Sequence, residues 1–452
     1  MATPNQTSFG VEIECIVAYQ RGNTKQNRPQ MFRDAPGNPI IVPEGVGITR
    51  TIRESIEHVI NNAVRGHEGD RVLNMTNVQV SLDNDLNNFH LHKYRGWVVK
   101  RDYSVNPDDA LLKDWDATKH MWEDVEITSP ALFATEKSFE EVRRVVQALI
   151  DTFWLYAPES SGLHVHIGRG KYYFEIDEIR RLSAFLYAAD PILTQMHPEV
   201  RRTTQRHYCI SNRLYSTLAH GAPSIEASRS INNLTQEGPP ITSSRSTGAL
   251  PREEKRGQNA NFFFQRGFLK GYTLDQNEFD TRQPAFAARL PQYEVGKPLP
   301  TAIAVEQLLN SPNPPTISLL MEQDSFSPMA YKFTFYGHMY YRKLVMEGPL
   351  PSRETQNGRT IEFRQAAGSV DPDEIVAQCK IAVGVCDFAR TAPLERLWEV
   401  ILDLAQGEVN SNWYDVFDLL TELDLVEPAK VIERRLAERA GIDMTDSSQD
   451  KR

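Results

Sequence analysis

Four segments of this chain alternate apolar and polar residues with a strict period of two, and each carries ionisable groups on its polar side. In the first, Phe9, Val11, Ile13 and Cys15 fall on one side, with Gly10, Glu12 and Glu14 on the other. In the second, Val125 and Ile127 oppose Asp124, Glu126 and Thr128. In the third, Leu163, Val165 and Ile167 oppose His164 and His166; in the fourth, Ile361 and Phe363 oppose Thr360, Glu362 and Arg364. A period of two is the strand period, because successive side chains point to opposite faces of a sheet. Each segment therefore predicts a strand with a dry face for a core and a second face bearing carboxylate, imidazole or guanidinium. If the strands share a sheet, Glu12, Glu14, Glu126, Glu362, His164 and His166 converge on one surface.

Carboxylates held together repel one another and raise their own pKa values. Divalent cations remove that cost. Magnesium takes oxygen ligands and keeps positions open for phosphate oxygens, and imidazole beside carboxylates also admits manganese. Such a cluster can hold the phosphates of ATP and neutralise charge that develops during phosphoryl transfer. Taken singly, an E-x-E on a strand is usually a solvated face, and TIEFR is weak. An H-x-H on a strand is stronger, because two imidazoles project the same way. Their joint occurrence on alternating strands favours the functional reading.

The rest of the chain supplies helices and long polar stretches. Residues 51–65 have helical spacing. Ser138 and Glu141 suggest a capping box ahead of the apolar stripe Val142, Val145, Val146, Leu149, Ile150 and Phe153. A further helix is expected from about Ile176 to Met196, with Pro191 kinking or breaking it. Strand character is expected at 96–100 and again at 331–346. Residues 220–260 and 274–330 read as polar insertions, too long for ordinary connectors. Asp371 and Pro372 open a helix in the favoured cap and first-turn positions. The expected organisation is a catalytic domain over 1–395 and a helical extension with a polar tail over 396–452.

The net charge of −10 argues against a general nucleic-acid binder, which needs clustered basic residues. The four cysteines, Cys15, Cys209, Cys379 and Cys386, form no C-x-x-C pair and read as small core residues. The first residues have no basic start and no apolar run, and nowhere do 18 apolar residues follow one another. The expected location is the cytoplasm, with no membrane partner. The Phe262–Phe264 run reads as packing. Arg201, Arg202 and Arg206 read as a solvated cluster, with Arg206 kept as a candidate for nucleotide phosphates. His90 and His92 have no partner pattern.

In order, FGVEIE (9–14), W-x-x-x-x-D-x-S (Trp97 to Ser104), VEITSP (125–130), SGLHVHIG (161–168) and RTIEFRQAAGSVDPDEI (359–375) resemble the amidoligase family of the carboxylate–amine ligase superfamily. That superfamily includes glutamine synthetase and glutamate–cysteine ligase. The resemblance implies an α+β fold, with a curved antiparallel sheet carrying the active site on its concave face and helices on the other. It implies a reaction in which ATP phosphorylates a substrate carboxylate and an amine expels phosphate from the acyl phosphate. By motif, Glu12, His164 and Glu362 would share the metal, Mg2+ or Mn2+, near the nucleotide phosphates. Glu14 and Glu126 would hold a second metal nearer the substrate. Arg364 would stabilise the transferred phosphoryl group, His166 would hold a phosphate or substrate oxygen, and Asp102 would meet the acceptor amine or a metal-bound water. The set departs from the family after TIEFRQ, at Ala366 and Ala367.

Two other classes compete. A metal-dependent hydrolase could use the same His and Glu cluster, although carboxylates outnumber histidines and an arginine shares the face, which suits magnesium and phosphate better than zinc. A binding module that keeps the fold and has lost activity is the other; the full set of acidic motif positions counts against it.

Overall fold

The computed structural model of the protein describes residues 6–22, 28–73, 94–114, 121–202, 209–232, 262–272, 276, 289–323, 328–337 and 359–444. It is an α+β structure with a large, mainly antiparallel, unclosed sheet. The chain divides into two compact units. The first comprises Met1–Tyr172, Pro351–Gly358 and Ala366–Lys380; the second comprises Tyr173–Leu350, Arg359–Gln365 and Ile381–Arg452.

The first unit is organised around one long strand, β1 (Ser8–Arg21). The other strands of the unit are β2 (Ile40–Val42), β3 (Val98–Lys100), β4 (Met121–Thr128), β5 (Leu132–Phe133), β6 (Leu155–Tyr156) and β7 (Gly162–Gly168). The order across the sheet is β3-β4-β1-β7. β1 runs antiparallel to β4 and β7, and β3 runs antiparallel to β4; short β2 pairs with β1 in parallel. The predicted alternation holds. Phe9, Val11, Ile13 and Cys15 are buried, as are Val125, Ile127, Leu163, Val165 and Ile167. Phe9 stacks on Phe139 of the helix Glu136–Thr152 with ring centroids 4.8 Å apart, so that helix covers the dry face. A second amphipathic helix, Ile48–Val64, packs against it and buries Ile52, Ile56, Ile60 and Val64.

The helix Glu136–Thr152 does not start with the expected box. Thr135 is its N-cap and accepts from the Ser138 N–H. Glu141 is used elsewhere. Its carboxylate takes two hydrogen bonds from Arg71, one from the Trp97 indole at 2.7 Å and one from the Gly69 N–H. A buried carboxylate tied to four donors is satisfied in full. The bond to Trp97 anchors the entry to β3, which gives the tryptophan of the W-x-x-x-x-D-x-S motif a structural task.

The second unit is built on the helix Ile176–Leu193, whose residues from Leu182 onward are buried. Pro191 is inside the helix, two residues before its end. The proline lies in the last turn, and a 3-10 turn at Thr194–Met196 follows. The helices Thr301–Leu309, Pro314–Met321 and Leu394–Val409 pack on it. Two of these lie inside the stretch that shows little periodicity in sequence, because both are short, little more than two turns each, which gives a helical period too few repeats to stand out. The strand expected over 331–346 is brief: β8 is Tyr331–Lys332, a 3-10 turn at Thr334–Tyr336 follows, and the remainder lies outside the described residues. β9 (Ile361–Ala367) pairs antiparallel with β8, Lys332 opposite Glu362 and Tyr331 opposite Phe363.

The expected packing residues behave as such. Phe262 stacks on Phe417, and Phe264 stacks on Phe268. All four cysteines are buried thiols. Arg201 differs from expectation, being buried; the solvated-cluster reading fails for it. The Asp371 carboxylate accepts from the Glu374 N–H at 2.8 Å, the predicted cap of the helix Pro372–Thr391.

Candidate active site

The polar face of the first unit is ordered by strand register. Directly opposed residues of antiparallel neighbours lie on the same face with their Cβ atoms about 4.5–5.5 Å apart. Glu12 on β1 stands opposite His164 on β7 and opposite Thr128 on β4. Glu14 stands opposite Glu126, and Glu126 stands opposite Lys100 on β3. His166 stands opposite Gly10. Two rows result, one reading Thr128, Glu12, His164 and the other Lys100, Glu126, Glu14.

The side chains meet along and between these rows. His164, almost wholly buried, places Nδ1 3.4 Å from Glu12 Oε2 and Nε2 3.5 Å from Glu14 Oε1, so one ring links both acids. His166 Nε2 lies 3.2 Å from Glu12 Oε1. Glu12 and His166 present ligand atoms close enough to share one metal ion. The Gly162 N–H donates to Glu14 Oε2 at 2.6 Å. A Cβ on Gly162 would come within 2.7 Å of His164 Nε2 and 3.3 Å of Glu14 Oε2. Glycine is therefore required there by the close approach of the site. Lys100 Nζ lies 2.9 Å from Glu126 Oε1, which also accepts from the Thr128 hydroxyl at 3.0 Å.

The electrostatics separate the acids. Burial acts to raise the Glu12 pKa, but the His166 and His164 imidazoles outweigh it and hold the carboxyl well below its ordinary value. Glu126 is pushed up to about 7 by burial and by the charge of Glu12, against the pull of Lys100 and Thr128. The Cys15 thiol, on the opposite face, is pushed up to about 12 by burial and by Glu14, which removes it as a nucleophile.

Asp102 follows β3 and uses Oδ1 to accept from the Ser104 N–H and hydroxyl, at 2.8 and 2.6 Å. Glu362 and Arg364 belong to the second unit, where the Arg364 guanidinium pairs with the Glu362 carboxylate. The Arg364 N–H donates to Ala330 O at 2.8 Å. Arg206 lies outside the described residues, as do His90 and His92.

Three residues were not singled out by motif. Lys100 could have been found, since Val98, Lys100 and Asp102 share one side of a strand by the same period of two. Gly162 had no signal beyond its place before L-H-V-H. Gln365 had none at all: it sits on the side of β9 expected to be dry, yet its amide donates to Asp190 Oδ1 at 3.0 Å and its carbonyl accepts from the Tyr331 hydroxyl at 2.8 Å.

Three carboxylates and two imidazoles on one face form a donor set for a hard or borderline divalent cation such as Mg2+ or Mn2+. A family model described as "Putative amidoligase enzyme" matches residues 5–236, more than half of the chain. The match includes Glu12, Glu14, Asp102, Glu126, His164 and His166 and ends before Glu362 and Arg364. No curated protein and no solved structure matches.

Proposed function

The chain belongs to the amidoligase family, and from that premise we propose that it joins a carboxylate to an amine in an ATP- and Mg2+-dependent reaction through an acyl phosphate. The observation that carries this reading is the register that sets Glu12 against His164 and Glu14 against Glu126 on one face of one sheet. We read that sheet as glutamine-synthetase-like, with the site on its concave side. A bound divalent ion supplies neutralisation of the phosphate charge. The roles of the chain's own residues follow from their chemistry. Glu12 and His164 are assigned to the ion beside the nucleotide phosphates, Glu14 and Glu126 to a second ion, and Glu362 is assigned, by the family resemblance, as a ligand of the metal–nucleotide. His166 is assigned to a phosphate or substrate oxygen, Asp102 to the acceptor amine, and Arg206 to the nucleotide.

Arg364 is assigned to the transferred phosphoryl group. Its planar fork matches two equatorial oxygens, which carry the negative charge in transfer. Its pairing with Glu362 keeps the guanidinium oriented until an anion competes for it.

Phosphate release in ATP and Mg2+, screened against amino acids, amines and short peptides, tests the reading. The expected result is release that needs both a carboxylate and an amine and yields an amide product. Bond cleavage without ATP would establish the hydrolase instead. Retention of a ligand with no turnover across the screen would establish the binding module.

A further inference from the structure

Lys100 is a cation on the polar face of the first unit that no motif accounts for. It lies opposite Glu126 in the β3–β4 register, with Nζ 2.9 Å from Glu126 Oε1. The two acids assigned to a second metal ion are thus already engaged. Glu126 Oε1 takes both the ammonium and the Thr128 hydroxyl, and Glu14 Oε2 takes the Gly162 N–H. The surroundings of Glu12 differ. Its partners are the imidazoles of His164 and His166, whose ring nitrogens can themselves serve as metal ligands.

We infer that the Lys100 ammonium holds the place of the second divalent ion at Glu126, so that the cluster of the resting protein takes one divalent ion tightly and admits a second only when Lys100 leaves. The inference rests on the metal reading given above. A divalent ion bound to Glu126 at the usual distance of about 2.0–2.2 Å would sit beside a fixed positive charge in a partly buried site, where screening is weak. Lys100 can leave, because its side chain is 35% exposed and its four-carbon stem is flexible. An arriving polyphosphate supplies both a reason for the ammonium to move and a partner for it. Second-ion loading is thereby coupled to nucleotide arrival, and Lys100 acts as a positioning residue.

The test is a calorimetric Mn2+ titration of the full chain without nucleotide, comparing the unchanged protein with Lys100→Met and Lys100→Arg. The unchanged protein should bind one ion tightly. Lys100→Met should bind a second ion at least tenfold more tightly than the unchanged protein does, and Lys100→Arg, which keeps the charge, should resemble the unchanged protein. Thermal melting checks that the Met variant is folded; if it is not, Lys100→Gln is read in the same way. Equal stoichiometry and affinity in the unchanged and neutralised chains would overturn this inference alone. Absence of Mn2+ binding in every chain would overturn the metal reading as well.

Discussion

Arg364 and Glu362 form a contact pair that makes opposite demands on substitution. A guanidinium that only balances its neighbour can be replaced by lysine with little consequence, because the charge is kept. One that clasps a phosphoryl group cannot, because lysine presents a point charge instead of a fork. Arg364→Lys is expected to lower the maximal rate by about tenfold or more, equivalent to about 1.4 kcal/mol of transition-state stabilisation, with a much smaller change in the KM for ATP. Glu362→Gln is expected to raise the KM for the metal–nucleotide as well, since it removes a ligand charge. Steady-state kinetics on the substrate pair found by the phosphate screen measure both. An Arg364→Lys protein with unchanged turnover would reduce Arg364 to the partner of Glu362.

At the scale of the elements, the strands were legible and their surroundings were not. β1, β4 and β7 could be read because each sets apolar residues on one face and polar or ionisable ones on the other, which writes a period of two into the residues. The same pattern fixed which of Glu12, Glu14, Glu126, His164 and His166 share a face, and the register then supplied their neighbours. The short helices Thr301–Leu309 and Pro314–Met321 were illegible because little more than two turns give a helical period too few repeats to stand out. The start of the helix Glu136–Thr152 was misplaced because Thr135, and not Ser138, supplies the cap, and Glu141 is engaged by Arg71, Trp97 and Gly69, which are distant in sequence. The face of Lys100 could be read from the same period of two, but its pairing with Glu126 and the fit of Gly162 against His164 and Glu14 are contacts between strands or side chains, which no local pattern encodes. Gly162 offers a direct test of how tightly β7 and β1 are fitted. A methyl group there would press on His164 Nε2 and Glu14 Oε2, so the imidazole would have to turn away. Gly162→Ala is expected to weaken Mn2+ binding by at least tenfold with less effect on melting temperature, because the backbone at this position needs no positive φ. Calorimetry and a melting curve on the same sample distinguish a displaced imidazole from a general loss of fold.

For the whole molecule, stability against pH should carry the mark of Glu322, a buried acid to which no catalytic role is assigned. Glu322 ends the helix Pro314–Met321 and accepts from the Phe333 N–H and the Thr334 hydroxyl, both at 2.9 Å. Burial is the main cause that pushes its pKa up to about 7 from an ordinary 4.5; the charge of Glu362 adds to it, while Thr334, Lys332 and Phe333 oppose it. A raised folded-state pKa means that the folded chain keeps a proton that the unfolded chain has released. The stability Glu322 contributes is therefore fully present below about pH 4.5 and is lost as pH rises through about 7. One proton gives a slope of at most about 1.4 kcal/mol per pH unit in that window. Glutamine keeps the oxygen that accepts from Phe333 and Thr334 and cannot ionise. Glu322→Gln is thus expected to lose less stability than the unchanged protein between pH 5 and pH 8, so that the difference between the two urea midpoints moves in the variant's favour as pH rises. A difference that stays constant across this range would mean that Glu322 ionises alike in the folded and unfolded chain, with its hydrogen bonds to Phe333 and Thr334 offsetting the cost of its burial.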